Sequence, residues 1–269
     1  MDLRLTGKHA LVTGSSSGIG AGIAHALAGE GVSVVVHGRD IDRTHQVAAA
    51  IQASGGNAVA VTGDLADDAG AASVAEAALA AFGAIDILVN NAGGASAGEV
   101  KSWFSVPMEE WLASYQRNVM AAARLVHRLA PAMKERGWGR VIQIATAAAT
   151  IPTSAQPEYG TAKAAMLNMS LGLSRALSGS GVTVNSVSPG MIRTPGLDDF
   201  LKAFAQRRGW GDDVSKAADY VLKGTGQTVN RIGTAEDVAS AVAYLASPRA
   251  DFLNGVNLHL DGGGTPNIY

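Results

Sequence analysis

Tyr159 and Lys163 place a phenol and an amine four residues apart, and Thr146 places a hydroxyl thirteen residues before the tyrosine. On a helix, positions 159 and 163 share one face, one turn apart. A free phenol, with a pKa near ~10, is slow to exchange protons at neutral pH. A neighbouring ammonium favours the phenolate and moves the group toward the working range of a general acid or base. The pair can therefore act as a unit in proton transfer, downstream of a strand that ends in a hydroxyl. A Tyr and Lys at this spacing also occur on solvated helices, and Thr146 also reads as a structural hydroxyl at a strand end.

Gly14, Gly18 and Gly20 belong to Gly-Ser-Ser-Ser-Gly-Ile-Gly, between the apolar run His9 to Thr13 and an Ala-rich helical stretch reaching about Glu30. Missing side chains allow a sharp turn and the close approach of a pyrophosphate to a helix N-terminus. Their place after the first strand of an α/β unit favours that reading over simple tight turns. The chain lacks a GxxxxGK(S/T) arrangement here, so phosphoryl transfer from a nucleoside triphosphate fits poorly. The second strand ends in His37-Gly38-Arg39-Asp40. Gly38 offers no carboxylate to ribose hydroxyls and Arg39 offers a guanidinium to a 2′-phosphate, which favours NADP(H), with NAD(H) the alternative. Arg39 also fits a solvated residue at a helix start, with Asp40 its N-cap. Asp64 is placed to accept from an adenine amino group or to cap its own loop. Asn90-Asn91-Ala92-Gly93 suits backbone lying flat against a cofactor. Asn118, in a largely apolar helix, reads either as a satisfied structural amide or as a member of a water relay.

The elements that must position these groups alternate. Strands are expected at His9 to Thr13, Val32 to His37, Ala58 to Thr62, Ile85 to Val89, Arg140 to Ala145, Val182 to Val187 and Val256 to Leu260. Helices are expected from about Ile41 to Ser54 and Ala69 to Ala81, within Pro107 to Arg136, and from Tyr159 to Leu177, with a capping box at Thr234 and Asp237 opening a last one. The apolar strands lack strict alternation, as strands buried on both faces do. The pattern predicts an α/β, Rossmann-like doubly wound parallel sheet flanked by helices. No polar linker divides residues 1–269, so one domain is expected, with the irregular interval 191–230 holding two short helices and serving as a substrate loop or lid.

Composition narrows the classes. The chain has 269 residues with 21 Lys plus Arg against 23 Asp plus Glu, a near-balance that gives no reason to expect nucleic acid as a partner. The absence of Cys excludes disulfides, thiolate nucleophiles and Cys-based metal sites, and no HExxH motif offers another metal site. The opening residues carry charges where a signal peptide needs an apolar core, and no apolar run is long enough for a bilayer, so a cytoplasmic protein is expected.

Thr13-Gly-Ser-Ser-Ser-Gly-Ile-Gly20, Asn90-Asn-Ala-Gly93, Asn118, Tyr159-x-x-x-Lys163 and Pro189-Gly190 resemble, in order and spacing, the short-chain dehydrogenase/reductase family and its 3-oxoacyl-carrier-protein reductase-like branch. The likeness spans residues 5–264. It implies a seven-stranded parallel sheet, a homotetramer, and catalytic roles for Asn118, Thr146, Tyr159 and Lys163. It implies cofactor contacts at Gly14, Ser16, Ser17, Gly18, Ile19, Gly20, Arg39, Asp64, Leu65, Asn91, Ala92, Gly93, Tyr159, Lys163, Pro189, Gly190, Ile192 and Thr194. Asn90 matches the residue that steadies the central strand, and Thr194 a hydroxyl that contacts the nicotinamide amide. The family usually has serine where this chain has Thr146; threonine keeps the donor but adds a methyl and stiffens the rotamer.

The expected activity is hydride transfer between a nicotinamide cofactor and a carbonyl or secondary alcohol, foremost as an NADPH-dependent ketoreductase. The alternatives are an NAD-dependent alcohol or sugar dehydrogenase and a non-catalytic dinucleotide sensor or scaffold. The segment 94–108 with Trp103 and Phe104, and 191–230 with Phe200, Phe204, Trp210 and Tyr220, either line an apolar pocket or pack loop helices on the sheet. Lys202, Arg207 and Arg208 either meet the anionic tail of an acyl-thioester or form a wet helix face.

Overall fold

Strands joined by helical crossovers return to the same end of a sheet, and parallel pairing follows. A computed structural model of the chain describes residues 1–95 and 103–266. Its strands are β1 (His9–Val12), β2 (Ser33–Gly38), β3 (Asn57–Thr62), β4 (Ile87–Asn90), β5 (Gly139–Ile144), β6 (Val182–Pro189) and β7 (Asn257–Leu260). They form one seven-stranded sheet in the order β3-β2-β1-β4-β5-β6-β7, parallel throughout. The order reverses between β1 and β4. In such sheets the crevice outside the carboxyl ends at the reversal is where ligands bind.

The helices are α1 (Gly18–Gly29), α2 (Ile41–Ala53), α3 (Asp68–Phe82), α4 (Met108–Tyr115), α5 (Ala121–Glu135), α6 (Pro157–Ala176), α7 (Pro195–Arg207), α8 (Val214–Gly224) and α9 (Ala235–Ala246). One sheet face buries Val12, Val34, Val36 and Ile142 under Ile23 and Leu27 of α1 and Val238 and Val242 of α9. The other buries Leu11, Val35, Leu88 and Val141 under Val74 of α3 and Leu125 and Leu129 of α5. With apolar neighbours on both sides, the strands have no polar face to alternate. Gly22 lets α1 lie close on α9: a Cβ there would fall 2.8 Å from that of Ala235.

Three boundaries differ from the sequence expectation in ways that bear on function. The helix expected within Pro107 to Arg136 is continuous but carries a π turn at Gln116–Met120, an inserted residue in the segment that holds Asn118. The helix bearing Tyr159 begins two residues earlier, at Pro157, after Gln156 in the left-handed conformation at φ 51°. The two helices of 191–230 are full-length rather than short, and Thr194 caps the first by accepting from Leu197 N–H. The capping box stands: Thr234 accepts from Asp237 N–H, and Asp237 from Thr234 N–H. Among the described residues no helix is long and apolar enough to cross a membrane.

Candidate active site

The carboxyl ends of β1, β2, β3 and β4 wall a cleft of about 290 Å³. Gly14, Ser16, Ser17, Arg39, Asp64, Leu65, Ala92 and Gly93 line it as expected. His37, Asp40, Arg43 and Arg117 line it too and were not singled out as cofactor contacts from the sequence. Gly20 sits behind the loop, where a Cβ would lie 2.4 Å from the Gly14 carbonyl oxygen. Ser17 precedes α1 without capping it through its side chain, and the first turn carries no acidic residue. A helix start of this kind, at Gly18 and Ile19, has the character that suits an anion.

The rim bears on the choice of dinucleotide. A Cβ on Gly38 would stand 2.6 Å from Thr44 Oγ1 and 2.7 Å from Ser16 Cβ, so this place cannot hold a ribose-binding carboxylate without displacing both neighbours. Arg39 is exposed beside it and makes no ion pair among the described residues. Asp40 caps α2, accepting from Arg43 N–H at 3.0 Å and from the Arg43 guanidinium at 2.9 Å, and these bonds hold its carboxyl below the ordinary value. Asp64 Oδ1 accepts from Ala66 N–H at 3.0 Å, the loop-capping alternative, while its residue still lines the cleft. These groups fit a phosphorylated dinucleotide.

At the end of β4, the amide that ties the strand to its neighbour belongs to Asn91 and not Asn90. Asn91 Nδ2 donates to the carbonyls of Thr13 at 2.9 Å and Gly14 at 3.0 Å. Asn90 is buried, and among the described residues neither of its side-chain polar atoms has a hydrogen-bond partner. Asn118 is fully buried: its Oδ1 accepts from Gly94 N–H at 2.8 Å, and its Nδ2 donates to the carbonyls of Ser114 at 2.9 Å and Gly94 at 3.1 Å. It is a satisfied amide that clamps the turn after β4.

The chemistry-bearing side chains converge at the end of β5. Thr146 Oγ1 accepts from Ala148 N–H at 3.4 Å, which leaves the hydroxyl proton to donate elsewhere, and the hydroxyl acts on Tyr159 by drawing its pKa down. Lys163 is buried under α6, and its Nζ donates to the Ile144 carbonyl at 2.7 Å. Burial lowers Lys163 to about 8, because desolvation penalises the ammonium. Tyr159 departs from expectation. Burial raises its pKa above the ordinary value, with the Thr146 bond acting downward, and the depression expected from Lys163 is not among the causes. The phenol is therefore a protonated donor at neutral pH.

After β6, Gly190 N–H donates to Leu260 O at 3.0 Å, which fixes Pro189-Gly190 against β7. Thr194 faces the glycine loop, its Cγ2 3.4 Å from where a Gly18 Cβ would be. Ile192 turns away, pairing with Gly233 and lining a separate cavity of about 300 Å³ with Met191 and His259. The aromatic residues of 191–230 pack on one another: Phe204, Trp210 and Tyr220 meet at centroid distances of 5.6–6.0 Å. Arg208 stacks over Phe204 and Tyr220, while Lys202 and Arg207 are exposed. Trp103 packs edge-on against Trp111 and Phe104 is exposed; residues 96–102 of the segment 94–108 lie outside the described residues. None of these rings lines the cleft.

The family model described as short chain dehydrogenase matches residues 8–203. The chain belongs to the short-chain dehydrogenase/reductase family. Among its relatives, the 3-oxoacyl-(acyl-carrier-protein) reductase FabG of Escherichia coli K12 is 34% identical, over 97% of this chain and 98% of its own. The L-sorbose reductase of Gluconobacter frateurii, solved with NADPH and L-sorbose, superposes with a TM-score of 0.94 at 33% identity over 100% of both chains. A 7α-hydroxysteroid dehydrogenase solved with NADH and 7-oxo glycochenodeoxycholic acid superposes at 0.85 with 31% identity, over 100% of this chain and 98% of that one. As a member of this family the protein is an oxidoreductase.

Proposed function

We propose that this short-chain dehydrogenase/reductase is an NADP(H)-dependent ketoreductase acting on a small carbonyl or secondary alcohol. The observations that support the reading are the meeting of Thr146, Tyr159 and Lys163 at the carboxyl end of β5 and, at the carboxyl ends of β1 to β4 in the same sheet, a cleft whose rim presents Arg39 and Arg43 and has no room for a carboxylate at Gly38. A nicotinamide cofactor held there would supply hydride to a carbonyl carbon, or take it from the carbinol carbon of a secondary alcohol. Arg39, Arg43 and Ser16 hold the 2′-phosphate, and the start of α1 holds the pyrophosphate. Thr194 and Lys163 orient the nicotinamide half. Tyr159 donates its proton to the substrate oxygen, and Thr146 hydrogen-bonds the same atom. Lys163 returns a proton to the phenolate, with Asn118 keeping the turn at Gly93 and Gly94 open to the cofactor. NADPH in L-sorbose reductase supports the cofactor choice, while NADH in the 7α-hydroxysteroid dehydrogenase keeps NAD(H) as the competitor.

The α7–α8 hairpin acts as the substrate lid, and the exposed Met108 and Leu112 of α4 support a homo-oligomer, with the tetramer the expected form. A panel of ketones, ketoses, acyl-thioesters and secondary alcohols, assayed with each cofactor by nicotinamide absorbance, tests the reading. Ketone-dependent oxidation of NADPH faster than of NADH is expected. Turnover with NAD(H) alone would move the enzyme to the alcohol or sugar dehydrogenase reading.

A further inference from the structure

His37 has no part in the scheme above, yet its ring lies where three loops of the cofactor cleft meet. It is the penultimate residue of β2, 2% exposed, and lines the cleft. Gly14 N–H lies 3.3 Å from Nδ1, and the Gly63 carbonyl oxygen lies 3.3 Å from Nε2. A main-chain N–H can only donate, so Nδ1 accepts and Nε2 carries the proton that it donates to Gly63. The two bonds thus select one neutral tautomer. Burial favours the same state, lowering the pKa to about 4 against the smaller upward effects of the Gly63 bond and the Asp64 charge. The main chain of the residue is tied as well. Ser15 N–H donates to His37 O at 2.8 Å, and His37 N–H donates to Ser15 Oγ at 2.9 Å. Gly63 N–H donates to Gly38 O at 3.2 Å.

We propose that His37 is a positioning residue for the adenosine half of the cofactor, its neutral ring pinning the glycine loop after β1 to the loop after β3. Gly14 opens the phosphate loop and Asp64 follows Gly63, so the ring sets the distance between the walls that would grip the 2′-phosphate and the adenine. A planar ring with one acceptor and one donor at opposite ends meets both loops at once. Asparagine can replace only the Nδ1 acceptor, and glutamine only the Nε2 donor.

The inference rests on the reading that the cleft takes NADP(H), and calorimetric titration with NADP⁺ and with 2′,5′-ADP separates the two. His37→Val should weaken both ligands by the same factor, ~10-fold for the lost ties. His37→Asn and His37→Gln should fall between it and the wild type. In turnover the loss should appear in KM for NADPH more than in kcat. ¹⁵N spectra of the wild-type ring at pH 7 should show a neutral imidazole protonated at Nε2. A folded His37→Val protein with wild-type affinity for 2′,5′-ADP would overturn the proposal, as would a loss for NADP⁺ that 2′,5′-ADP does not share. If the valine variant does not fold, wild-type 2′,5′-ADP affinity in both the Asn and Gln variants overturns it equally. Wild-type protein that binds neither ligand would instead refute the cofactor reading.

Discussion

Thr146 is where the proposed active site departs from the serine usual in the family. The hydroxyl oxygen accepts from Ala148 N–H, so its proton is left as the donor that a substrate oxygen needs. Thr146→Ser should therefore keep turnover within a few-fold, whereas Thr146→Val, isosteric but without the donor, should lose about 100-fold in kcat. Steady-state kinetics on any accepted ketone distinguishes the two. Tyr159→Phe should bind cofactor as the wild type does and lose at least ~100-fold in turnover. The pH profile follows from the same residues. Tyr159 stays protonated through neutral pH, while Lys163 loses its charge near 8, so the rate of ketone reduction should decline as pH rises through about 8. A flat profile from pH 7 to 9.5 would count against Lys163 as the titrating group. His37 makes a separate, structural prediction. Its folded pKa is depressed, so between pH 6.5 and about 4 the unfolded chain takes up a proton that the folded chain refuses. Stability should be complete above pH 6.5 and fall on acidification by as much as about 3 kcal/mol, a slope that urea titrations should find reduced in His37→Gln.

At the scale of elements, close approaches made by glycine set the geometry of the cleft. Gly38 brings the end of β2 against Ser16 and Thr44, and Gly22 brings α1 against Ala235 of α9. Gly38→Asp, the change that would install a carboxylate at the ribose position, should not convert the enzyme to NAD(H). Its Cβ clashes with Thr44 Oγ1 and with Ser16 Cβ, so loss of binding to both cofactors and a destabilisation of about 1–3 kcal/mol are expected, read by titration and thermal melting. The contrast between Asn90 and Asn91 belongs to this scale too. Asn91, just past the end of β4, joins the strand to the glycine loop through Thr13 and Gly14, while the buried Asn90 amide has no partner among the described residues.

At the scale of the whole molecule, three apolar clusters divide the described residues. Two are the faces of the sheet, and the third is small: Leu201, Ala205, Ala217 and Ala218, with Phe204 and Trp210 packed against it, join α7 to α8. A hairpin with its own core can open without exposing the sheet. Hydrogen exchange should show the amides of residues 195–224 opening well below the global unfolding free energy, with β1, β4 and β5 exchanging only on global unfolding. Equal protection of hairpin and strands would remove the hairpin as a lid.

Strand positions, the parallel doubly wound arrangement, the glycine loop and the Tyr159/Lys163 pair were legible in the chain itself, because each depends on local period or on spacing within one element. Buried parallel strands write apolar runs, helices write a return along one face, and a dinucleotide turn writes closely spaced glycines. What needed the tertiary structure depends on groups distant in sequence. His37 carries no local signal for its task, since its partners Gly14 and Gly63 come from two other strands. The aromatic residues of 191–230 read equally as pocket or packing until α7 and α8 brought them onto one another. The upward pKa of Tyr159 was hidden for the same reason: spacing puts an ammonium near a phenol, but only the packed fold decides how much water each has lost.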